Sequence, residues 1–290
     1  MNDQASSLRS RNLARRDHDR DEIPRARRIA VTSGKGGVGK SNVSLNLAIA
    51  LGKLGKKVLL VDADTNLANI DILLGLRVQY TLADAIFGGV FLSDVLVPGP
   101  EGITILPGSS GMVEMVDQDH VYRQRLMNAF DELEKEYDVL LIDTGAGLSD
   151  NVVQLVAGSD EAILVTNSEP TAITDAYAMV KVASHLNSTQ TMHVIINLAA
   201  KQKDALITFE NLQLATRQFL QRELTMLGHI PVDPNIPKAV DAREPFLLLF
   251  PRSAASSALT MMARKLLRTP FKQSSTSNYL FQVLARREDE

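Results

Sequence analysis

Hydrophobic residues along this chain gather in short runs separated by longer stretches of helical period. Ile29-Ala30-Val31, Val58 to Val61, Ile103 to Leu106, Val139 to Ile142, Ala162 to Thr166, His193 to Asn197 and Leu227 to Ile230 have strand length. They lack strict apolar–polar alternation, the pattern of strands covered on both faces. Between them, Val43, Leu47, Ala50, Leu51 and Leu54 recur at helical spacing until Gly55 stops the pattern. Leu126, Phe130 and Leu133 mark a second helical face leading to Tyr137, and further helical stretches are expected over 171–187, 205–224 and 253–267. Buried strands interleaved with amphipathic helices predict an α/β fold. It is a doubly wound, mostly parallel sheet flanked by helices, with ligands at the carboxyl ends of the strands.

The first strand runs straight into Gly34-Lys35-Gly36-Gly37-Val38-Gly39-Lys40-Ser41, followed by Asn42 and a helix. Two phosphate-binding patterns fit this loop. Gly34, Gly36 and Gly39 have the spacing of a dinucleotide fingerprint, with Asp62 and Asp64 roughly 20 residues on, where a ribose-binding acid belongs. The same residues fit Gly-x4-Gly-Lys-Ser. A pyrophosphate on a helix N-terminus needs only the glycines. A triphosphate with Mg²⁺ needs an ammonium on the β/γ oxygens and a hydroxyl on the metal, and Lys40 and Ser41 supply both. That argues against a nicotinamide-dependent oxidoreductase. Asp143, closing the apolar run from Val139, has the placement of a carboxylate that holds the Mg²⁺ shell, and Asp62 and Asp64 close another run.

Composition narrows the choice further. The chain has 290 residues and no cysteine, which removes disulfides, thiolate metal sites, iron–sulfur clusters and cysteine nucleophiles. No apolar run approaches the roughly 18–20 residues needed to span a bilayer, and the first residues are polar, so the expectation is a cytoplasmic protein without a secretory signal. Net charge is −3, yet residues 1–28 carry eight arginines against five acids. The acidic remainder argues against direct nucleic-acid binding. The chain divides into a flexible N-terminal segment (1–27), an NTPase domain (28–270) and a tail (271–290) that follows the Ser-rich hinge at 273–277.

Lys35 adds a sharper signal. Lys-Gly-Gly-Val-Gly-Lys-Ser, with its second lysine early in the loop, resembles the deviant Walker-A motif of the MinD/ParA group of ATPases. The similarity extends through Val61-Asp62-Ala63-Asp64, Asn69 and Asp71, then Leu141 to Gly147, covering roughly residues 28–268. The resemblance implies ATP and Mg²⁺ as ligands and an ATP-dependent homodimer in which Lys35 reaches the partner's phosphates. It implies that Gly34 to Asn42 cradle phosphate, with Lys40 as a phosphate ligand and Ser41 on the metal. Asp62 and Asp143 support the metal, and Asp64 orients or activates the attacking water. It also implies that Asn197 and the segment Pro231-Val232-Asp233 contact adenine.

Within that group, Glu169-Pro170-Thr171-Ala172-Ile173-Thr174-Asp175-Ala176-Tyr177 resembles the family of flagellar number regulators, FlhG or FleN. Asp3-Gln4-Ala5-Ser6-Ser7-Leu8-Arg9 is similar to that family's Asp-Gln-Ala-x-x-Leu-Arg element, which implies an activating helix at residues 3–9 for the flagellar GTPase FlhF. A flagellar transcription regulator is a further implied partner. The tail places Tyr279, Leu280, Val283 and Leu284 on one helical face. By resemblance this is a short peripheral membrane helix, although Glu288, Asp289 and Glu290 would be repelled by anionic lipid. A division-site or chromosome-partition ATPase of the same fold, and a nucleotide-gated scaffold with negligible turnover, share every motif in the loop. Their alternatives stay open at this level.

Overall fold

The structure, a computed structural model, describes residues 25–64, 69–108 and 120–270. The element at residues 3–9 and the tail at 271–290 lie outside the described residues. Eight strands form one sheet in the order β3-β4-β2-β5-β1-β6-β7-β8. They are β1 (Arg27–Ser33), β2 (Val58–Ala63), β3 (Val97–Pro98), β4 (Thr104–Leu106), β5 (Val139–Ala146), β6 (Glu161–Thr166), β7 (Thr191–Ala199) and β8 (Thr225–Pro231). Every pairing is parallel except β3 with β4, an antiparallel edge. The first strand therefore sits between β5 and β6, where the winding reverses. In such sheets the crevice beyond the strand ends at this point receives the ligand.

Alternate residues of each buried strand feed opposite faces. Ile29, Val31, Leu60, Leu141 and Ile163 pack beneath α1 (Lys40–Lys53) and the long C-terminal helix Ala254–Arg268. Ala30, Ala162, Leu164 and Val194 face the opposite layer, whose helices include Asp150–Gly158, Pro170–Leu186 and Gln202–Leu220. Leu59, Leu140 and Ile142 meet Leu126, Phe130 and Leu133 of His120–Glu136 on that same side. Among the described residues the helices are, in chain order, α1, α2 (Ile70–Leu74), α3 (Leu82–Phe87), α4 (Leu92–Val95), α5 (His120–Glu136), α6 (Asp150–Gly158), α7 (Pro170–Leu186), α8 (Gln202–Leu220), α9 (Asn235–Ala242), α10 (Phe246–Leu249) and α11 (Ala254–Arg268). Among the described residues no helix is long and apolar enough to cross a membrane.

Two elements differ from the periodicity. The helix expected over 205–224 spans Gln202–Leu220 and ends because Gln221 turns left-handed at φ 53°. Leu224 continues the helical spacing of Leu220 but is buried on the approach to β8. Asp143 also lies inside β5 rather than at its end. The strand continues because Thr144 stays in register with Ala63 and, after a one-residue irregularity in the β1–β5 ladder, Ala146 pairs with Ser33 at the start of the loop.

The amino ends of the central strands hold a buried ionic cluster. Arg27 grips Glu161 through both carboxylate oxygens (2.8 and 2.6 Å), and His193 Nε2 meets Glu161 Oε2 at 2.9 Å. Burial pushes the Glu161 carboxyl up, but hydrogen bonds from His193 and Arg27 outweigh it and hold the group below the usual range. Arg28 is bound to Asp160 (2.8 Å), with Glu134 only at 3.6 Å. Glu134 accordingly lacks short donors, and burial pushes it up to about 7 against the pull of Arg28 and Arg25. A carboxyl raised in the fold favours the native state most below its unfolded value of 4.5. That contribution fades as pH rises through about 7. Glu134→Gln, which keeps the shape without the charge, should therefore lessen the fall in Tm between pH 5 and pH 8. Thermal melts across that range check it, and an unchanged slope would contradict the assignment.

Candidate phosphate-binding site

Three strand ends and one helix build the site. The turn from β1 reaches α1 through Gly39, whose backbone is left-handed at φ 84° and which offers the helix no side-chain cap. The first turn of α1 also holds no acidic residue. Its amide groups and positive dipole end remain directed at an incoming anion. Gly37 is likewise left-handed at φ 80°, and a Cβ at Gly36 or Gly37 would meet nothing within 4 Å, so this side of the loop is an open cradle.

Lys40, at the start of α1, turns inward. Its ammonium donates to Asp143 Oδ1 at 2.8 Å and to Ser41 Oγ at 3.2 Å. Ser44 Oγ donates to the same Asp143 oxygen at 2.5 Å. Lys40 and Asp143 are both buried, at 6% and 0% exposure. A buried pair of this kind costs about 3–5 kcal/mol when one partner is removed. An ammonium has three donors, so one remains for a phosphate oxygen. Asp143 Oδ2, buried and without a hydrogen-bond partner, is the atom whose chemistry fits a metal-bound water. No group of three or more His, Asp or Glu among the described residues is arranged to hold a metal alone. One hydroxyl and one carboxylate beside phosphate oxygens suit Mg²⁺, which keeps several waters.

Asp62 is the in-register neighbour of Asp143 on the adjacent strand. Its carboxylate accepts backbone N–H groups from Asp64 (3.2 Å), Asn69 (3.0 Å) and Ile70 (3.1 Å), so it fastens the turn leading to α2. Burial pushes its pKa up to about 6, and the nearby Asp143 charge adds to this against the three amides. Asp64 stands by the strand ends, with its Oδ1 3.6 Å from where a Cβ on Gly145 would lie.

On the opposite side of the loop, Asn197 Nδ2 donates to the Val38 carbonyl at 2.7 Å. A Cβ at Gly39 would come within 2.5 Å of that same nitrogen. Asn197 Oδ1 is buried and has no hydrogen-bond partner, an acceptor suited to an exocyclic amine. Of the neighbouring segment, Pro231 closes β8 and Val232 is 61% exposed. Asp233 instead turns inward, accepting from Asn235 N (3.0 Å) and Ala255 N (3.1 Å). It ties the starts of α9 and α11. Burial raises its pKa, but those amide bonds prevail and hold it low.

Lys35 points the other way from Lys40. Its side chain is 39% exposed, and Nζ donates to Glu169 Oε2 at 2.7 Å and Thr171 Oγ1 at 3.1 Å. Hydrogen bonding to Lys35, and its charge, hold the Glu169 carboxyl below the usual range. Ser44 and Asn46 were not among the sequence's candidates. Ser44 stands four residues from Lys40 on one face of α1, a spacing that would have revealed it. Asn46 donates to Asn42 O (2.8 Å) and accepts from Leu247 N (2.9 Å), so the helix behind Asn42 is locked to α10. No sequence signal marks that long-range bond.

A protein-family profile described as ParA, NUBPL iron-transfer P-loop NTPase, matches residues 25–267. The chain belongs to the MinD/ParA family of P-loop NTPases. It has no cysteine, so it carries no thiolates for the iron transfer named in that description. It is 44% identical over 237 residues to the antiactivator FleN of Pseudomonas aeruginosa, covering 82% of this chain and 85% of FleN. It is 32% identical over 268 residues to the flagellum site-determining protein YlxH of Helicobacter pylori, covering 91% and 90% of the two chains. Its fold matches the septum site-determining protein MinD of Pyrococcus horikoshii, solved with Mg-ADP, at TM-score 0.69 and 29% identity, over 84% of this chain and 96% of that one. The P-loop NTPase family is one of nucleotide binding with Mg²⁺.

The geometry of Gly39 makes a direct prediction. Gly39→Ala introduces a Cβ at a left-handed position against Asn197, a strain of about 1–3 kcal/mol. It should lower Tm by several degrees and abolish nucleotide binding, checked by melts with and without Mg-ATP. A variant that still gained stability from Mg-ATP like the unaltered protein would contradict the cradle described above.

Proposed function

We propose that this protein is an ATP-dependent dimerising switch ATPase that regulates flagellar number or placement, hydrolysing ATP to ADP and phosphate. The observation that carries the biochemical half is the division between the loop lysines. Lys40 is buried and committed to its own site, whereas Lys35 stands exposed on the face where the strand ends open. A second lysine placed outward serves a phosphate that arrives against that face, as in a sandwich of two copies with nucleotide between them. The flagellar half rests on the likeness to FleN and YlxH and on the Glu169 to Tyr177 stretch.

In this reading the cradle from Gly34 to Asn42 and Lys40 fix the triphosphate, while Asn197 Oδ1 accepts from the adenine amine beside Pro231 and Val232. Ser41 and Asp143 would hold Mg²⁺; Asp62, expected from the sequence to support the metal, has its carboxylate taken up by three backbone amides and would support it by stiffening the turn beside them. Bound there, the ion neutralises phosphate oxygens. Asp64 accepts a hydrogen bond from the water that attacks the γ-phosphorus as the bond to ADP breaks. Phosphoryl transfer requires positioned charge more than covalent participation, so this set is sufficient. Residues 3–9 would engage the GTPase FlhF, a transcription regulator would be a second partner, and the tail 271–290 would give a peripheral membrane contact. A division-site role, as named for MinD relatives at 31% identity, is the second reading.

The test separates three residues. Lys40→Ala should lose nucleotide binding. Lys35→Ala should still bind ATP but neither dimerise nor hydrolyse it, and Asp64→Ala should accumulate an ATP-bound dimer without turnover. Size-exclusion chromatography with ATP reads all three. Identical behaviour of the two lysine variants would overturn the assignment of Lys35 to a partner's phosphates.

A further inference from the structure

The stretch from Glu169 to Tyr177 has no part in the phosphate site, yet it lies directly against the start of the loop. A Cβ on Gly34 would fall 2.2 Å from the backbone of Asp175, so only glycine allows the loop to rest on the first turns of α7. Glu169 caps the start of that helix without using its side chain for the cap. Its amide is instead fixed by Asn167 Oδ1 at 3.0 Å, and Asn167 is itself buried. The carboxylate thus projects from a rigid corner to Lys35, with the Thr171 hydroxyl beside it. The Lys35–Glu169 pair is exposed on both sides, at 39% and 58%. An ion pair in that setting is readily exchanged for a stronger anion.

We propose that Glu169 and Thr171 are positioning residues for Lys35, holding its ammonium against its own subunit until a triphosphate in the partner outcompetes them. This rests on the dimeric reading above. A carboxylate with one negative charge is a weaker competitor than a nucleoside triphosphate, yet it is always present at short range. It therefore sets how much ATP is needed before two copies close. A nucleoside diphosphate, with less charge and no γ-phosphate at the junction, competes less well, so the same contact sharpens discrimination between the two nucleotides.

The experiment uses the full chain, with Mg-ATP and Mg-ADP as probes and light scattering as the readout of dimerisation. Glu169→Gln should lower the ATP concentration for half-maximal dimerisation about threefold, the scale of an exposed ion pair, and that gain should shrink in high salt. ATP binding to the monomer should be unchanged, and ADP should produce more dimer than it does with the unaltered protein. Thr171→Val should shift the midpoint in the same direction by less. A Glu169→Gln midpoint that is unchanged or higher would overturn the proposal, since Glu169 would then be inert or would support the extended lysine. Lys35→Ala, measured alongside, separates the two levels. If it fails to dimerise while Glu169→Gln shows no gain, only this proposal fails. If it dimerises normally, the dimeric reading fails and this inference with it.

Discussion

The ion pair between Lys40 and Asp143 is the contact on which the site depends. It joins the first residue of α1 to the middle of the sheet, and both groups are buried. Two charges are held in such a place only when they are paired with each other. Ser41 and Ser44 help engage them, and the adjacent placement of β1 and β5 brings the partners within reach. The apolar faces of the strands serve the same end. They fix α1 and β5 relative to one another tightly enough for a 2.8 Å contact to persist.

Both ends of the sheet hold buried polar groups. At the amino ends, Arg27 and His193 bind Glu161 and Arg28 pairs with Asp160, while His193 Nδ1 and Glu134 Oε1 have no hydrogen-bond partner among the described residues. At the carboxyl ends two acceptors beside the loop are left open in the same way. Asp143 Oδ2 and Asn197 Oδ1 each lack a donor while buried. An unsatisfied buried acceptor costs about 1–3 kcal/mol, which a bound ligand can recover. Asp143 stands on β5 and Asn197 on β7, on either side of the strand that leads into the loop.

Most of the architecture was legible because the signals were local. Continuous apolar runs predicted the buried strands, and the loop from Gly34 to Ser41 predicted a phosphate cradle from the chemistry of eight successive residues. That Asp62 and Asp143 are neighbours follows from the strand order, which periodicity does not give. Illegible features depend on long-range contact. Nothing in the sequence shows that Asn46 holds α10, that Asp233 ties α9 to α11, or that Glu169 meets Lys35 across more than a hundred residues. The boundary of α8 failed for a different reason. Leu224 keeps the helical period, but the left-handed turn at Gln221 is not encoded by a glycine.

In the proposed dimer each complete site takes its second lysine from the other copy. Mixing Lys35→Ala with Asp64→Ala, each inactive alone, tests this most directly. A mixed dimer then contains one site with an intact Asp64 and a lysine arriving from the partner. A one-to-one mixture should regain ATP turnover, up to about half that of the unaltered protein, because each mixed dimer holds one complete site of its two and Asp64→Ala copies that pair with themselves contribute none. No ATP hydrolysis at any mixing ratio, with mixed dimers demonstrably formed, would place Lys35 within its own site and contradict the account.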